Sequence, residues 1–557
     1  MRAASAYRSV LAIRDARALI GASAASQLGD WLYNAALLGY VYSATGSAAW
    51  VGAATVARLL PYVLLGPVGG AIADRYPRRT VLLAGDLLRM LLMAALALVV
   101  ALDASVAFVI ALTMLASAAG CAEKPAALAF LPRLVGESRL GAANALLHTV
   151  QDLGTVLGPA IGAVLLAVAS DFVAFLANAL TFAVSALLIS TIGLRGGPAK
   201  VPVGALAHIA HGLRTAAVTP FAVPLFVVVA MVELTYGAQT VQLVVYTERS
   251  LGLGSGGYAV LLTALGVGGL LSTFVNGRLA SSRRVALAVI VTGALACATQ
   301  LAYAGTDLLA VALAATLIGG GGMVACEVVA ETTLARVVSS DVLGRVMGVF
   351  DASSVLAMVA GALLAPVLID ATSLDASLLI LGGAALLVTV ACLLALRGLD
   401  ALSARRAEAL ASRLAVITGL PVTAGAPQLV LERLASAART CALPPGVDVV
   451  VQGAPAHAFY AVAEGRVVVH RDGTKVVHLG PGDSFGERGL LDNAPRNATV
   501  TTEMDTTVLR IEGGELIEAL QGAPMLRPAL DLSSTSPGLQ LGDEGRPLVD
   551  DKDWVNA

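Results

Sequence analysis

The sequence predicts an all-α polytopic membrane protein, twelve transmembrane helices in two six-helix pseudo-repeats, followed by a small β-rich domain. Three observations predict it. Of 557 residues, 57% are hydrophobic and only 13% charged, where a soluble chain carries about a quarter charged residues. The apolar residues gather in stretches of about 20, the length that crosses a bilayer as a helix. A polar link between two such stretches, Gly70-Ala71-Ile72-Ala73-Asp74-Arg75-Tyr76-Pro77-Arg78-Arg79, returns in worn form as Gly277-Arg278-Leu279-Ala280-Ser281-Ser282-Arg283-Arg284. A link that recurs once per half implies an internally repeated transporter architecture.

The spans are expected near 18–43, 48–73, 80–101, 105–130, 141–168, 171–193, 220–247, 255–280, 284–303, 308–331, 344–370 and 373–397. Residues 1–194 then form one six-helix half, 195–219 a central cytosolic loop, and 220–397 the second half. Residues 398–426 read as a linker, 427–525 as the β-rich domain and 526–557 as a disordered tail. Arginines of the short links (Arg75, Arg78, Arg133, Arg283, Arg336) collect on one side. The opposite links carry Asp103, Asp171, Asp307 and Asp375, with Arg249 the one basic residue. Basic loops stay cytosolic, so both termini are expected in the cytosol of a cell (inner or plasma) membrane protein. Arginines 2, 8, 14 and 17 lead into the first span without a cleavage-site pattern, which reads as a cytosolic lead and not a signal peptide.

In the signature link the glycines are expected to let the chain turn, and Asp74 to accept hydrogen bonds near a helix end. Arg75, Arg78 and Arg79 hold the link out of the bilayer. Its spacing resembles the loop between the second and third helices of the major facilitator superfamily. The resemblance covers most of residues 15–397 and gives Gly70, Asp74 and the three arginines a gating role. The halves also align from Leu131 to Gly141 against Leu334 to Gly344, Arg133 falling opposite Arg336 and Gly158 opposite Gly361. The texture around Leu131–Asn144 and Arg336–Gly348 is similar to the enterobactin-exporter and macrolide-efflux branch. That implies proton-driven export of a hydrophobic or amphipathic small molecule.

Ionisable groups inside spans are costly and default to function. Gln27, Asp30 and Asn34 share one face of the first span. Asp30 reads as a proton-exchanging carboxylate or as a static partner of Arg58 in the second span. The fifth span reads His148-Thr-Val-Gln-Asp152-Leu-Gly154-Thr-Val-Leu-Gly158-Pro159-Ala-Ile-Gly162, a thin face that a neighbouring helix can approach closely. It resembles the antiporter motif of the superfamily, with Ala163 in place of its last glycine; close packing without directional meaning is the alternative. His148 and Asp152 stand four apart, as a relay or a plain pair. In the second half Glu233 is the leading site for a proton or a cationic substrate, with Gln239 on the same span. Glu327, Glu331 and Asp351 follow, Glu331 reading as a gate partner of Arg336. Glu123 and Lys124 are expected to neutralise each other.

Beyond the spans a short amphipathic helix precedes period-two strands such as Ala458–Ala463 and Arg466–His470, with turns at Gly465 and Asp472-Gly473. Phe485-Gly486-Glu487 followed by Pro495-Arg496-Asn497-Ala498-Thr499-Val500 resembles the phosphate-binding cassette of cyclic-nucleotide-binding domains, a β-roll of jelly-roll type. The resemblance implies that Glu487 holds the ribose and Arg496 the cyclic phosphate, with amides near Gly486 and Asn497 on the remaining oxygens. Arg488 stands where an aliphatic residue is usual. Asn497 replaces a small residue, which leaves the choice between adenine and guanine nucleotides open. Pro524 and Pro528 shorten the helix that lids the base. Cyclic AMP is the expected regulatory ligand, with no other cofactor.

A net charge of -2 excludes nothing but gives no footing for nucleic acid. The five cysteines show no metal spacing, and His457, His470 and His478 lie on turns and strands without evident partners, so an enzyme is not expected. The expected partners are the lipid bilayer, protons, a small-molecule substrate and a cyclic nucleotide. The alternatives are a membrane-anchored nucleotide receptor that no longer transports, or an importer.

Overall fold

The computed structural model describes residues 2–136, 139–194, 214, 219, 221–282, 284–338, 340–423, 426, 428–491 and 494–522. Most of the central loop, the tail and the lid prolines Pro524 and Pro528 lie outside them. The chain divides into two compact units, one of residues 1–135 and 143–402, the other of 136–142 and 403–557.

The first unit is helical. Among the described residues eleven helical segments are long and apolar enough to cross a membrane: Ala48–Arg75, Arg78–Ala101, Val106–Val135, Leu140–Val168, Asp171–Ser190, Ala222–Arg249, Gly256–Ala280, Val285–Tyr303, Leu309–Val337, Val342–Ala371 and Leu374–Leu396. The count differs from twelve at the first expected span. There the chain does form a long helix, Arg14–Thr45, but Gln27, Asp30 and Asn34 keep it too polar to rank with the other eleven. Its role is internal, since Leu32 to Val41 is almost wholly buried.

One extended core joins the two halves. It takes Leu37 and Leu38 of Arg14–Thr45, Val51 of Ala48–Arg75 and Phe175 of Asp171–Ser190. From the second half it takes Tyr246 of Ala222–Arg249 and Tyr258 of Gly254–Ala280. Each of these lies toward the helix end away from the signature links. A second core, from Ala222, Val285, Val289 and Leu334 to Leu399, lies at the link end and is built from the second half. Small residues bring the halves close: a side chain at Gly52 would strike the Ala362 carbonyl at 2.7 Å, and one at Gly266 the Thr155 carbonyl at 2.7 Å.

The fourth expected span is broken. Val106–Gly120 stops, Cys121 and Ala122 turn, and Glu123–Val135 resumes with Pro125 in its first turn, where a missing N–H costs nothing. Gly69 packs directly on the Cys121 carbonyl. The break frees Glu123 to turn inward.

The second unit holds two four-stranded antiparallel sheets. With β1 (Arg439–Leu443), β2 (Asp448–Val450), β3 (Ala458–Glu464), β4 (Val467–Arg471), β5 (Thr474–Leu479), β6 (Ser484–Phe485), β7 (Thr499–Thr502) and β8 (Thr506–Glu512), the orders are β1-β8-β3-β6 and β2-β7-β4-β5. Alternation explains the core. Val462 and Val508 face Val467 and Val500 of the other sheet, while Phe459, Ala461, Leu509 and Ile511 pack under Leu431, Leu434 and Leu516 of flanking helices. β4 and β5 are joined at Asp472 (φ 52°) and Gly473 (φ 76°), the positive angles that a two-residue hairpin demands. Ile417 and Leu420, at and just beyond the end of the helix Leu399–Gly419, belong to the helical side of this core.

Candidate functional site

The alternative reading of Asp30 pairs it statically with Arg58. The structure gives it another partner: Arg89, in Arg78–Ala101, lies 3.7 Å from Asp30 Oδ2. Arg89 is only 4% exposed along its side chain and gathers two further carboxylates, Glu123 at 2.6 Å and Asp86 at 2.7 Å. Its guanidinium stacks 4.3 Å from the Phe182 ring centre, and Asp86 also accepts from the Ser185 hydroxyl at 2.5 Å. Asp86 and Arg89 went unnoticed in the sequence, although two ionisable residues three apart in an apolar helix are a usable signal. Glu123 likewise bonds Arg89, where pairing with Lys124 was expected.

Three carboxylates around one guanidinium leave an excess of negative charge inside the first half. Such an excess is costly in a low-dielectric interior unless a proton or another cation joins it. Asp30 is the most exposed of the three along its side chain, at 39% against 26% for Glu123 and 2% for Asp86.

Arg58 sits within electrostatic reach of Asp30, Tyr236 and Tyr258, its Nε buried without a hydrogen-bond partner among the described residues. Asn34 is fully buried, and neither amide atom finds a partner there. His148 and Asp152 are both exposed and interact electrostatically. Among the described residues no hydrogen bond joins them, nor does either reach the Arg89 cluster. The glycines of that helix meet Arg14–Thr45. A side chain at Gly158 would lie 2.5 Å from Trp31 Cβ, and one at Gly154 3.1 Å from Gln27 Cβ. Close packing is therefore what the pattern does structurally.

At the signature link the turn is made by Tyr76 and Pro77, not by glycine. The helix Ala48–Arg75 continues through Gly70, which has open space around it. Arg79 donates to the Ile189 and Ser190 carbonyls, at 3.3 and 2.5 Å, and so caps the C-terminus of Asp171–Ser190. Arg78 is 4% exposed and within reach of Asp74 and Arg133. Arg75 lies over the Tyr76 ring. In the second half Arg336 donates to the Ala280 carbonyl at a helix end, while Glu331 has no ion-pair partner among the described residues.

The cassette of the second unit is built around Arg496. Its backbone is pinned by Arg496 N donating to the Ala454 carbonyl and Gly453 N donating to the Arg496 carbonyl, each at 2.8 Å. Its guanidinium donates to the Gly486 carbonyl at 2.6 Å and the Ala458 carbonyl at 2.5 Å, which fixes the side chain while leaving other N–H groups for a phosphate. Gly486 has φ 90°, and a Cβ there would lie 2.6 Å from the guanidinium. Only glycine meets both demands. Phe485 stacks on Tyr460 with ring centres 5.2 Å apart. Burial holds the Glu487 carboxyl above the usual carboxylate range, partly offset by its backbone hydrogen bond and by Arg488 and Arg496. Glu487 Oε2 is buried with no hydrogen-bond partner among the described residues. A ribose hydroxyl is the donor that this oxygen lacks, so the residues fit a cyclic nucleotide. Asn497 is exposed and Ala498 half-buried beside Arg496. One histidine departs from expectation: His478 Nδ1 lies 2.7 Å from Glu503, which Lys475 also contacts at 3.3 Å.

Comparisons with known proteins separate along the same division. The Major Facilitator Superfamily model matches residues 19–328 and 225–435, and the cyclic nucleotide-binding domain model matches 440–522. The multidrug efflux pump Tap of Mycolicibacterium fortuitum is 30% identical over 362 residues, 62% of this chain and 87% of the pump. A cAMP-dependent protein kinase regulatory subunit of Yarrowia lipolytica is 49% identical over 55 residues, 10% of this chain and 15% of that subunit. A cGMP-dependent protein kinase of Toxoplasma gondii is 37% identical over 78 residues, 14% of this chain and 8% of the kinase. The chain thus spans most of the pump but only a small part of either kinase protein. It belongs to the Major Facilitator Superfamily and carries a cyclic nucleotide-binding domain after its transporter helices.

Proposed function

We propose that the chain is a proton-coupled secondary exporter of a hydrophobic or amphipathic small molecule, regulated by cyclic AMP bound between Glu487 and Arg496. The observation that carries the coupling is the cluster of Asp30, Asp86 and Glu123 around Arg89. A proton on Asp30 relieves the excess negative charge and releases Arg89 toward Glu123 and Asp86. Loss of that proton draws Arg89 back. A buried charge pair that re-forms with each proton is a two-state element of the kind that alternating access needs. A mere membrane anchor has no use for it. The similarity to an efflux pump favours export over import, and nothing in this reading calls for enzymatic chemistry.

In this reading the signature links face the cytosol with both termini, in the cell membrane. The domain boundaries follow the sequence: halves at 1–194 and 220–397, a linker at 398–426, the nucleotide domain at 427–525. Nucleotide regulates only if it favours one transporter conformation over another. The route is the helix Leu399–Gly419, whose Asp400 accepts from Ala286 N at 2.9 Å, capping the helix that follows the second link. The test is flux in proteoliposomes. A pH gradient should drive extrusion of a lipophilic fluorescent dye by the natural chain and not by Asp30→Asn. Gradient-independent flux in both would remove proton coupling.

A further inference from the structure

Glu487 and Arg496 suit the ribose and the phosphate of a cyclic nucleotide; the base needs a bed of its own. The inner face of the sheet β2-β7-β4-β5 supplies one. Alternation sets Val467, Val469 and Arg471 of β4 on one side of the strand. Val467 and Val469 belong to the core between the two sheets, so Arg471, the last residue of β4, is carried on the inner face of the β-roll. Val469 stands opposite Val500 of β7 and Val477 of β5, and His470 opposite Thr499. One further step in the β4–β7 register brings Arg471 against Ala498 of the cassette, with backbones about 5 Å apart. A second tie joins the same two places. The Gln452 side chain donates to Asp472 Oδ1 at 2.7 Å and accepts from Asp472 N at 3.0 Å, while Gly453 N donates to the Arg496 carbonyl at 2.8 Å.

Arg471 is half-buried, and its Nε is buried with no hydrogen-bond partner among the described residues. The carboxylates nearest in the fold are committed elsewhere: Asp472 to Gln452, and Glu503 to Lys475 and His478. A guanidinium nitrogen left unsatisfied in a recess calls for an acceptor. The apolar residues beside it are uncovered as well. Val469 is half-buried, and Val477, opposite it on the inner face, remains 45% exposed. An apolar bed that ends in a planar donor fork has the character of a purine site, with valines for the ring face and a guanidinium for the polar edge. Arginine donates and never accepts. Guanine offers two acceptors on one edge, O6 and N7, whereas adenine there sets the N7 acceptor beside an N6 amino donor.

We propose that Arg471 reads the base of the bound nucleotide, its guanidinium taking O6 and N7 of guanine, so that cyclic GMP is a ligand of this domain alongside cyclic AMP. The inference rests on the nucleotide reading of Glu487 and Arg496 and deepens it by naming the residue that distinguishes the bases. Cyclic AMP is held by the sugar and phosphate contacts and gains little from Arg471.

The test is calorimetric titration of cyclic GMP, cyclic AMP and cyclic IMP into the detergent-purified full chain, with Arg471→Ala and Arg471→Lys alongside. The natural chain should bind all three saturably. Arg471→Ala should weaken cyclic GMP by about fivefold or more, the low end of what one two-donor base contact is worth, and cyclic AMP far less. Cyclic IMP keeps O6 and N7 without the 2-amino group, so it should follow cyclic GMP. Arg471→Lys keeps the charge without the fork and should lose the same discrimination. Thermal unfolding midpoints matching the natural chain establish that the variants are folded. An unchanged cyclic GMP affinity in Arg471→Ala overturns the proposal. So does an equal loss for all three nucleotides that Arg471→Lys restores, which would make Arg471 a charge for the phosphate. Cyclic GMP failing to bind a chain that binds cyclic AMP overturns it too. Failure of every nucleotide to bind the folded natural chain would instead remove the site at Glu487 and Arg496, and this proposal with it.

Discussion

Arg89 of the third span and Glu123, just past the break in the fourth, are ion-paired at 2.6 Å, on two helices whose sequences give no hint of each other. Removing a buried cation from three carboxylates leaves uncompensated charge, which typically costs about 3–5 kcal/mol. Arg89→Ala should therefore lower the thermal unfolding midpoint strongly in detergent, while Arg58→Ala, which breaks no ion pair among the described residues, lowers it less. Similar shifts for both would deny Arg89 its place at the centre.

Gly158 sits against Trp31, so a larger residue forces two helices apart. Gly158→Leu should cost about 1–3 kcal/mol and cut transport in step. Gly70→Ala, in open space, should leave stability within about 0.5 kcal/mol. Thermal unfolding of the two variants side by side checks the contrast.

These two glycines also mark what the sequence made legible. The repeat, the links, the thin helix face and the nucleotide cassette are all local patterns, and local patterns survive in one dimension. What escaped was partner choice. Asp30 meets Arg89 and not Arg58 because four helices set the register, and no spacing along the chain encodes that. Glu123 turns inward because Cys121 and Ala122 interrupt a helix that hydropathy reads as continuous. Pro77 turns the signature link, while Gly70 stays helical. Glu503 finds His478 across strands 25 residues apart.

Glu487 gives a pH signature. Its carboxyl is raised by burial, so the folded domain holds this proton at pH values where the unfolded chain has already lost it. Stability must then fall as pH rises from the ordinary glutamate range through the raised value. Glu487→Gln should flatten that slope in thermal scans from pH 4 upward. It should also weaken cyclic nucleotide binding about 10- to 100-fold, the worth of a charged hydrogen bond. An unchanged slope would place the titration elsewhere.

Asp400 links the start of the helix Leu399–Gly419 to Ala286 N. Loss of such a cap costs about 1 kcal/mol, too little to unfold the chain. Asp400→Ala should keep nucleotide affinity within about twofold yet abolish the nucleotide's effect on dye flux. A retained effect would move the coupling route away from this helix.

The central claim is a superfamily transporter that binds a cyclic nucleotide to be regulated by it. Calorimetric titration of cyclic AMP, and separately cyclic GMP, into the purified full chain tests it most directly, with Arg496→Ala alongside. Saturable one-site binding of cyclic AMP, lost in Arg496→Ala, is the expected result, because this guanidinium is already held in place by Gly486 and Ala458. Absence of binding by either nucleotide to the folded chain would contradict it and leave an exporter with a structural appendage.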